Sequence, residues 1–241
     1  MKYLPFALLL TFLACNSERN IQSFYYPIDD IEQKGRVYVY ESAMADSLSG
    51  YYWYFKVNHK EKAKYLIATN INAQFEVNQI STEKIVSNGT VLQQYLLYQK
   101  DSLGNQKPTE ATIKSNGFFP FEVKDSNGVF MYEVKWTDPF ESNHKTALIR
   151  NRRFLKDSTY TYNGNQLPCI IFKINDLIDD DFNGHLEIKY QGKEIYAKGI
   201  GLVYTEKLIN NRKFAYQLKN SLDLEQFEAI SKSAFNRIQK E

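Results

Sequence analysis

The sequence predicts an all-β protein: a mainly antiparallel meander, curved into a half-barrel, with one α-helix at the C-terminus. Apolar and polar residues alternate with period two over several short runs, as a sheet with one wet face demands. Asn-Gly pairs separate many of these runs, and both residues tolerate the positive φ of a type I′ hairpin turn. Phe, Trp and Tyr make up 15% of the chain, with 18 Tyr and 16 Phe, and such side chains favour half-buried pleated surfaces. No helical pattern alternates with the strands, which excludes a parallel α/β sheet.

The chain opens with MKYLPFALLLTFLAC. Lys2 gives a charged start, and Leu4 to Ala14 form an apolar run too short to span a bilayer, which takes about 20 residues. The run has the length of a signal-peptide core. Its ending, Leu13-Ala14-Cys15, resembles the lipobox of bacterial lipoproteins, although Phe12 stands where that family prefers Leu, Val or Ile. The resemblance implies a signal peptide over 1–14 and Cys15 as the site of lipid attachment. Cys15 would then be the mature N-terminus and carry acyl chains such as palmitate. An ordinary secretory signal with an incidental Cys15 is the alternative, but no small-x-small cleavage site offers itself.

Residues 15–35 read as a polar tether followed by an irregular segment, with a helical turn that Pro27 could start. A single antiparallel domain over 36–241 follows. Alternation marks Ala73, Phe75 and Val77, then Phe119, Phe121 and Val123. It recurs at Phe130, Tyr132, Val134 and Trp136, at Leu186, Ile188 and Tyr190, and at Phe214, Tyr216 and Leu218. Asn-Gly pairs begin at Asn88, Asn116, Asn127, Asn163 and Asn183. Near 223–239 the spacing of Leu224, Phe227, Ile230, Ala234 and Ile238 predicts a helix. Asp223 and Gln226 can form a capping box, and Lys232, Arg237 and Lys240 suit the C-terminal dipole. This helix either packs across the sheet or plugs an open end.

With 30 basic and 28 acidic residues, the formal charge is +2. That balance gives no bulk electrostatic reason to bind nucleic acid. Cys169, within an apolar run, reads as a small buried hydrophobe. No G-x-S-x-G, H-E-x-x-H, C-x-x-C or phosphate-loop motif occurs, and His59, His144 and His185 share no ligand spacing. The expectation is no enzyme, no cofactor and no metal. Asp179-Asp180-Asp181-Phe182-Asn183-Gly184 fits the start of a calcium loop, but Tyr190 stands where a bidentate Glu is needed. A hairpin tip with solvated acids explains it fully. Arg150, Arg152 and Arg153 could grip a phosphate or headgroup, but a solvated strand edge is the plainer account.

The segment Tyr196-Ala197-Lys198-Gly199-Ile200-Gly201-Leu202-Val203-Tyr204 lacks the third glycine and the following helix of a dinucleotide loop. Two glycines beside a strand start suggest a bulge or a close backbone approach. The segment resembles one found in uncharacterised bacterial exported lipoproteins, some similar to the LolA/LolB-type open β-barrel. That resemblance implies a curved sheet around a hydrophobic ligand, although no membrane-inserting loop of the LolB kind is identifiable. The expected partners are a membrane, through the N-terminal lipid, and a hydrophobic small molecule. The expected location is the cell envelope, facing the periplasm. Asn16, in place of the Asp that retains some lipoproteins at the inner membrane, favours the outer one by analogy. The rival expectation is a structural or protein-interaction lipoprotein whose core is filled. An open cavity inside the sheet would separate the two.

Overall fold

The computed structural model describes residues 18–44, 48–124 and 128–238. The readings at 1–17, at Asn127, at Lys240 and at the side chains of Arg237 and Ile238 lie outside the described residues. The chain begins with β1 (Arg19–Asn20), a 3₁₀ turn (Gln22–Phe24) and α1 (Ile28–Lys34). Then follow β2 (Arg36–Ser42), β3 (Tyr51–Lys60), β4 (Ala63–Ile71), β5 (Val77–Val86) and β6 (Gly89–Lys100). Next come β7 (Gln106–Glu110), β8 (Thr112–Pro120), β9 (Glu122–Val123) and β10 (Val129–Thr137). The chain ends with β11 (Lys145–Tyr162), β12 (Asn165–Asp181), β13 (His185–Ala197), β14 (Gly201–Ile209), β15 (Arg212–Leu222) and α2 (Leu224–Ile238).

Every pairing is antiparallel, and the sheet closes on itself as a barrel of 12 strands. The half-barrel expectation is corrected on this point. One long-range pairing and a fork at β6 make the closure. β15 bonds β2, from Tyr216 opposite Ser42 to Leu222 opposite Val37. β6 bonds β5 along one side and β7 and β8 along the other. Closure removes the unpaired edges that a curved open sheet would leave. Alternation within one strand cannot reveal it, because closure depends on which distant strands meet.

The inner face carries the aromatic and aliphatic residues that the alternation marks on β10 and β15, together with Tyr38, Tyr40, Phe55, Leu66, Ile170, Phe172 and Ile174, all buried. Of the four Asn-Gly pairs among the described residues, one forms the two-residue turn as read and three differ. Asn163-Gly164 has φ of 49° and 78° and joins β11 to β12 in two residues. Asn183-Gly184 closes the β12–β13 hairpin within a three-residue loop. Asn116-Gly117, however, lies inside β8. Asn88 is the second turn residue before Gly89 opens β6, so that pair is no type I′ turn. Type I′ geometry falls instead to Glu61-Lys62 and Asn210-Asn211, with φ of 50° and 66° and of 49° and 62°. Phe75, expected in a strand, sits at φ 63° in the loop before β5.

One end of the barrel is filled by the N-terminal segment. Ile21, Phe24, Tyr25 and Ile31 enter the main core, and Ile21 is fully buried. Pro27 opens α1, Asp29 and Asp30 lie in its first turn and Lys34 in its last, each on the side the dipole favours. Gly35, at φ 65°, ends it. The C-terminal helix does not plug. α2 lies against the outer surface, where Phe227 meets Tyr52 at 5.1 Å and Phe75 at 5.8 Å between ring centres, over Val37. Its capping box forms as read: the Gln226 N–H donates to Asp223 Oδ1 at 2.8 Å and the Asp223 N–H to Gln226 Oε1 at 3.1 Å.

Candidate binding cavity

The half of the barrel away from the plug encloses a cavity of about 650 Å³, open at the rim where Gly50, Asn72 and Gln74 stand. Small-molecule sites run from about 300 to 1,000 Å³. Aromatic side chains form much of the wall, among them Tyr51, Trp53, Tyr132, Trp136, Tyr190 and Tyr216. Tyr51 stacks on Tyr40 at 5.0 Å and meets Tyr216 edge-on at 4.9 Å, so this wall is braced. Tyr25 and Tyr26, from the plug, reach the cavity from below. Asn70, Gln79, Arg150, Glu194 and Lys207 place polar groups among the rings.

The arginine knot resolves into this interior, which corrects the solvated-edge reading. β11 is paired on both sides, by β10 and β12, so it has no free edge there. Arg150 and Arg152, two residues apart, therefore both point inward, while Arg153 opposite Lys173 points out. Arg150 donates from Nε and Nη2 to Asp176 Oδ2 at 2.8 Å. Its Nη1 lies 3.6 Å from Glu194 Oε1. Arg152 Nε donates to Glu194 Oε2 at 2.9 Å, and Tyr196 donates to the same oxygen at 2.9 Å. Burial pushes the Glu194 carboxyl up, but Arg152 and Arg150 outweigh it and hold the group below the usual carboxylate range. Sequence reasoning saw the arginines but not their partners, because Asp176 and Glu194 sit on strands whose facing is set only by register.

Glu83, on β5, is the third buried acid. Its Oε2 accepts from Tyr25 O–H at 2.6 Å and from Thr90 O–H at 2.7 Å. Burial raises its pKa to about 7, against the opposing pulls of Thr90, Tyr25 and Arg152. The folded value lies above the unfolded one of about 4.3. Stability from this group is thus fully present below about pH 4.3 and is lost as pH climbs through about 7. Glu83→Gln keeps an acceptor for both hydroxyls and removes the ionisation. Between pH 4 and pH 8 the variant should gain up to about 3 kcal/mol relative to the native chain, read from urea midpoints. A pH-independent difference between the two proteins would contradict this.

The glycine segment is the seat of the plug. Gly199, at φ 75°, donates its N–H to the Ser23 carbonyl at 2.8 Å. Gly201, at φ 101°, faces the Tyr26 ring so closely that a Cβ there would run into it. Tyr38 and Tyr40 donate to the carbonyls of Ile200 and Leu202 at 2.8 Å and 2.7 Å. The close backbone approach read from the sequence is therefore an approach to the chain's own N-terminal segment.

Cys169 is buried, and burial pushes its thiol up. Asp179 to Asp181 end β12 and pair with His185 to Glu187, so successive acids point to opposite faces rather than converging. His185 Nδ1 approaches Asp179 at 3.2 Å and His144 Nε2 approaches Asp180 at 3.1 Å. Among the described residues no group of three or more His, Cys, Asp or Glu is arranged to hold a metal ion.

The sequence matches no protein-family model and no curated protein. Two solved structures are similar. A candidate exported protein with a YmcC-like fold from Bacteroides fragilis aligns with a TM-score of 0.54 at 13% identity, over 83% of this chain and 99% of its own. A candidate lipoprotein from Parabacteroides distasonis aligns with a TM-score of 0.49 at 18% identity, over 81% of this chain and 95% of its own. The barrel is thus similar to the YmcC-like fold, a likeness of fold alone at this identity.

Proposed function

We propose that this chain is a lipoprotein of the bacterial cell envelope, anchored through Cys15, that binds an amphiphilic small molecule inside its barrel without catalysis. The observation that carries the reading is the open cavity of about 650 Å³ with braced aromatic walls. A filled core would leave no such space. The lipobox-like ending at Cys15 supports the anchor, and Asn16 favours the outer membrane. The name of the similar structure from Bacteroides fragilis, a candidate exported protein, agrees with an envelope location. Rings that offer apolar faces, set among a few convergent polar groups, suit a ligand with both an apolar body and a polar end.

The test joins anchor and cavity. Expressed in a bacterium, the native chain should incorporate labelled palmitate and Cys15→Ser should not. The chain from residue 16 onward retains every element described above. It should take up the neutral dye Nile red at one saturable site. Thr205→Trp, which places an indole in the cavity wall, should weaken that uptake at least about tenfold by occupying the space. Equal labelling of both chains overturns the anchor. Dye uptake that is absent, or unchanged by Thr205→Trp, overturns the cavity.

A further inference from the structure

Three cationic side chains enter the barrel at one level, and only two are matched. Arg150 and Arg152 make their ion pairs with Asp176 and Glu194. Lys207, on β14 and in the cavity wall, has no carboxylate within 4.0 Å among the described residues. Its Nζ makes one hydrogen bond, to Tyr190 Oη at 3.3 Å, and lies 4.8 Å from the centre of that ring. An ammonium has three donors, and Lys207 is only partly buried, so the donors that Tyr190 leaves free face the cavity. Unlike Arg150 and Arg152, it has no carboxylate of the described residues as a partner.

We infer that the ligand of this cavity is an anionic amphiphile whose carboxylate or phosphate sits on Lys207 while its body lies against the aromatic wall. The inference rests on the proposed binding function and narrows its ligand. Around Lys207 stand Arg150 from β11, Asp176 from β12, Tyr190 and Glu194 from β13, and Phe214 from β15. Asp176 and Glu194 are engaged by the arginines, so they leave a net positive site rather than neutralise it. The register that puts Lys207 inside is fixed by its pairing with Gly192 on one side and Phe214 on the other. Burial, with Arg150 adding to it, lowers the Lys207 pKa to about 8. An anion bound there would raise it again, so binding should draw in a proton and weaken in alkali.

Displacement of Nile red from the chain starting at residue 16 tests this with three probes of equal chain length: decanoate, decyl phosphate and 1-decanol. At pH 6.5 the two anions should bind at least about tenfold tighter than the alcohol, a conservative figure for a charge-assisted contact. Whichever anion binds tighter identifies the headgroup chemistry. At pH 9.5 the advantage should fall at least about fivefold as Lys207 loses its proton. Lys207→Met should abolish the preference, read as the ratio of anion to decanol affinity within the same variant, and Lys207→Arg should retain it. Decanol binding as well as the acids, or a preference that survives Lys207→Met, overturns the anionic ligand while leaving the cavity reading standing. If none of the three displaces the dye, both fall together.

Discussion

Replacing Arg152 with Met should lower stability by about 3–5 kcal/mol, the cost of breaking a buried ion pair by removing one partner. Arg152 is 3% exposed. It pairs with Glu194 at 2.9 Å, donates to the Phe118 carbonyl, and lies 5.7 to 6.0 Å from the centres of the Phe118, Phe119 and Phe172 rings. Met fills much of the space but leaves the Glu194 carboxylate with Tyr196 and a more distant Arg150. Because Glu194 is held below its usual pKa in the fold, its contribution is present at neutral pH and is lost as the solution is acidified through that depressed value. The gap between Arg152→Met and the native chain should therefore shrink as pH falls toward 3. Adding Glu194→Gln should restore a large part of the loss. Urea denaturation of the single and double variants measures this. A loss under about 1 kcal/mol at pH 7 would show that the pair is not the buried contact described.

Tyr25→Ala should cost a similar amount, about 3–5 kcal/mol, the range for truncating a buried aromatic side chain. Tyr25 is 3% exposed and packs against Phe119 at 4.9 Å and Phe121 at 5.7 Å between ring centres. It also supplies one of the two hydroxyls on Glu83. Tyr25→Phe keeps the packing and removes only that bond, so it should cost about 1–2 kcal/mol. Hydrogen exchange supplies a second readout: in Tyr25→Ala the amides of 21–34 should exchange faster than those of the barrel strands. If the whole barrel loosens with them, the plug folds as part of the barrel rather than as a separate unit.

The strand content and the C-terminal helix were legible because their signals are local. Leu224, Phe227 and Ile230 fall on a helical stripe, and Asp223 with Gln226 carries its own hydrogen-bond chemistry. The inward face of β10 follows from Phe130, Tyr132 and Val134 alone. Three things were not legible, and all are long-range. Pairing of β2 with β15 joins residues 174 or more apart, and nothing within either strand encodes it. Arg150 and Arg152 looked like a solvated run because Asp176 and Glu194 meet them only after two strand registers are set. The plug looked like a tether because Ser23, Tyr25 and Tyr26 find their partners at Gly199, Glu83 and Gly201. Lys207 carried no sequence signal at all. One lysine among charged neighbours in TEKLI becomes unusual only when the wall around it is known.

The plug has a mechanical meaning for an anchored chain. The segment that closes one end of the barrel is already held at Arg19–Asn20 by β9, so the chain back to Cys15 reaches only about 14 Å when extended. With a lipid on Cys15, the sealed end is therefore held toward the bilayer and the mouth is turned to the aqueous side. Cargo would be exchanged with whatever approaches through the fluid, not drawn straight up from the leaflet below. Any pull on the leash is borne first by the short β1–β9 ladder and the Ser23–Gly199 bond, so the cork itself takes the strain between barrel and membrane.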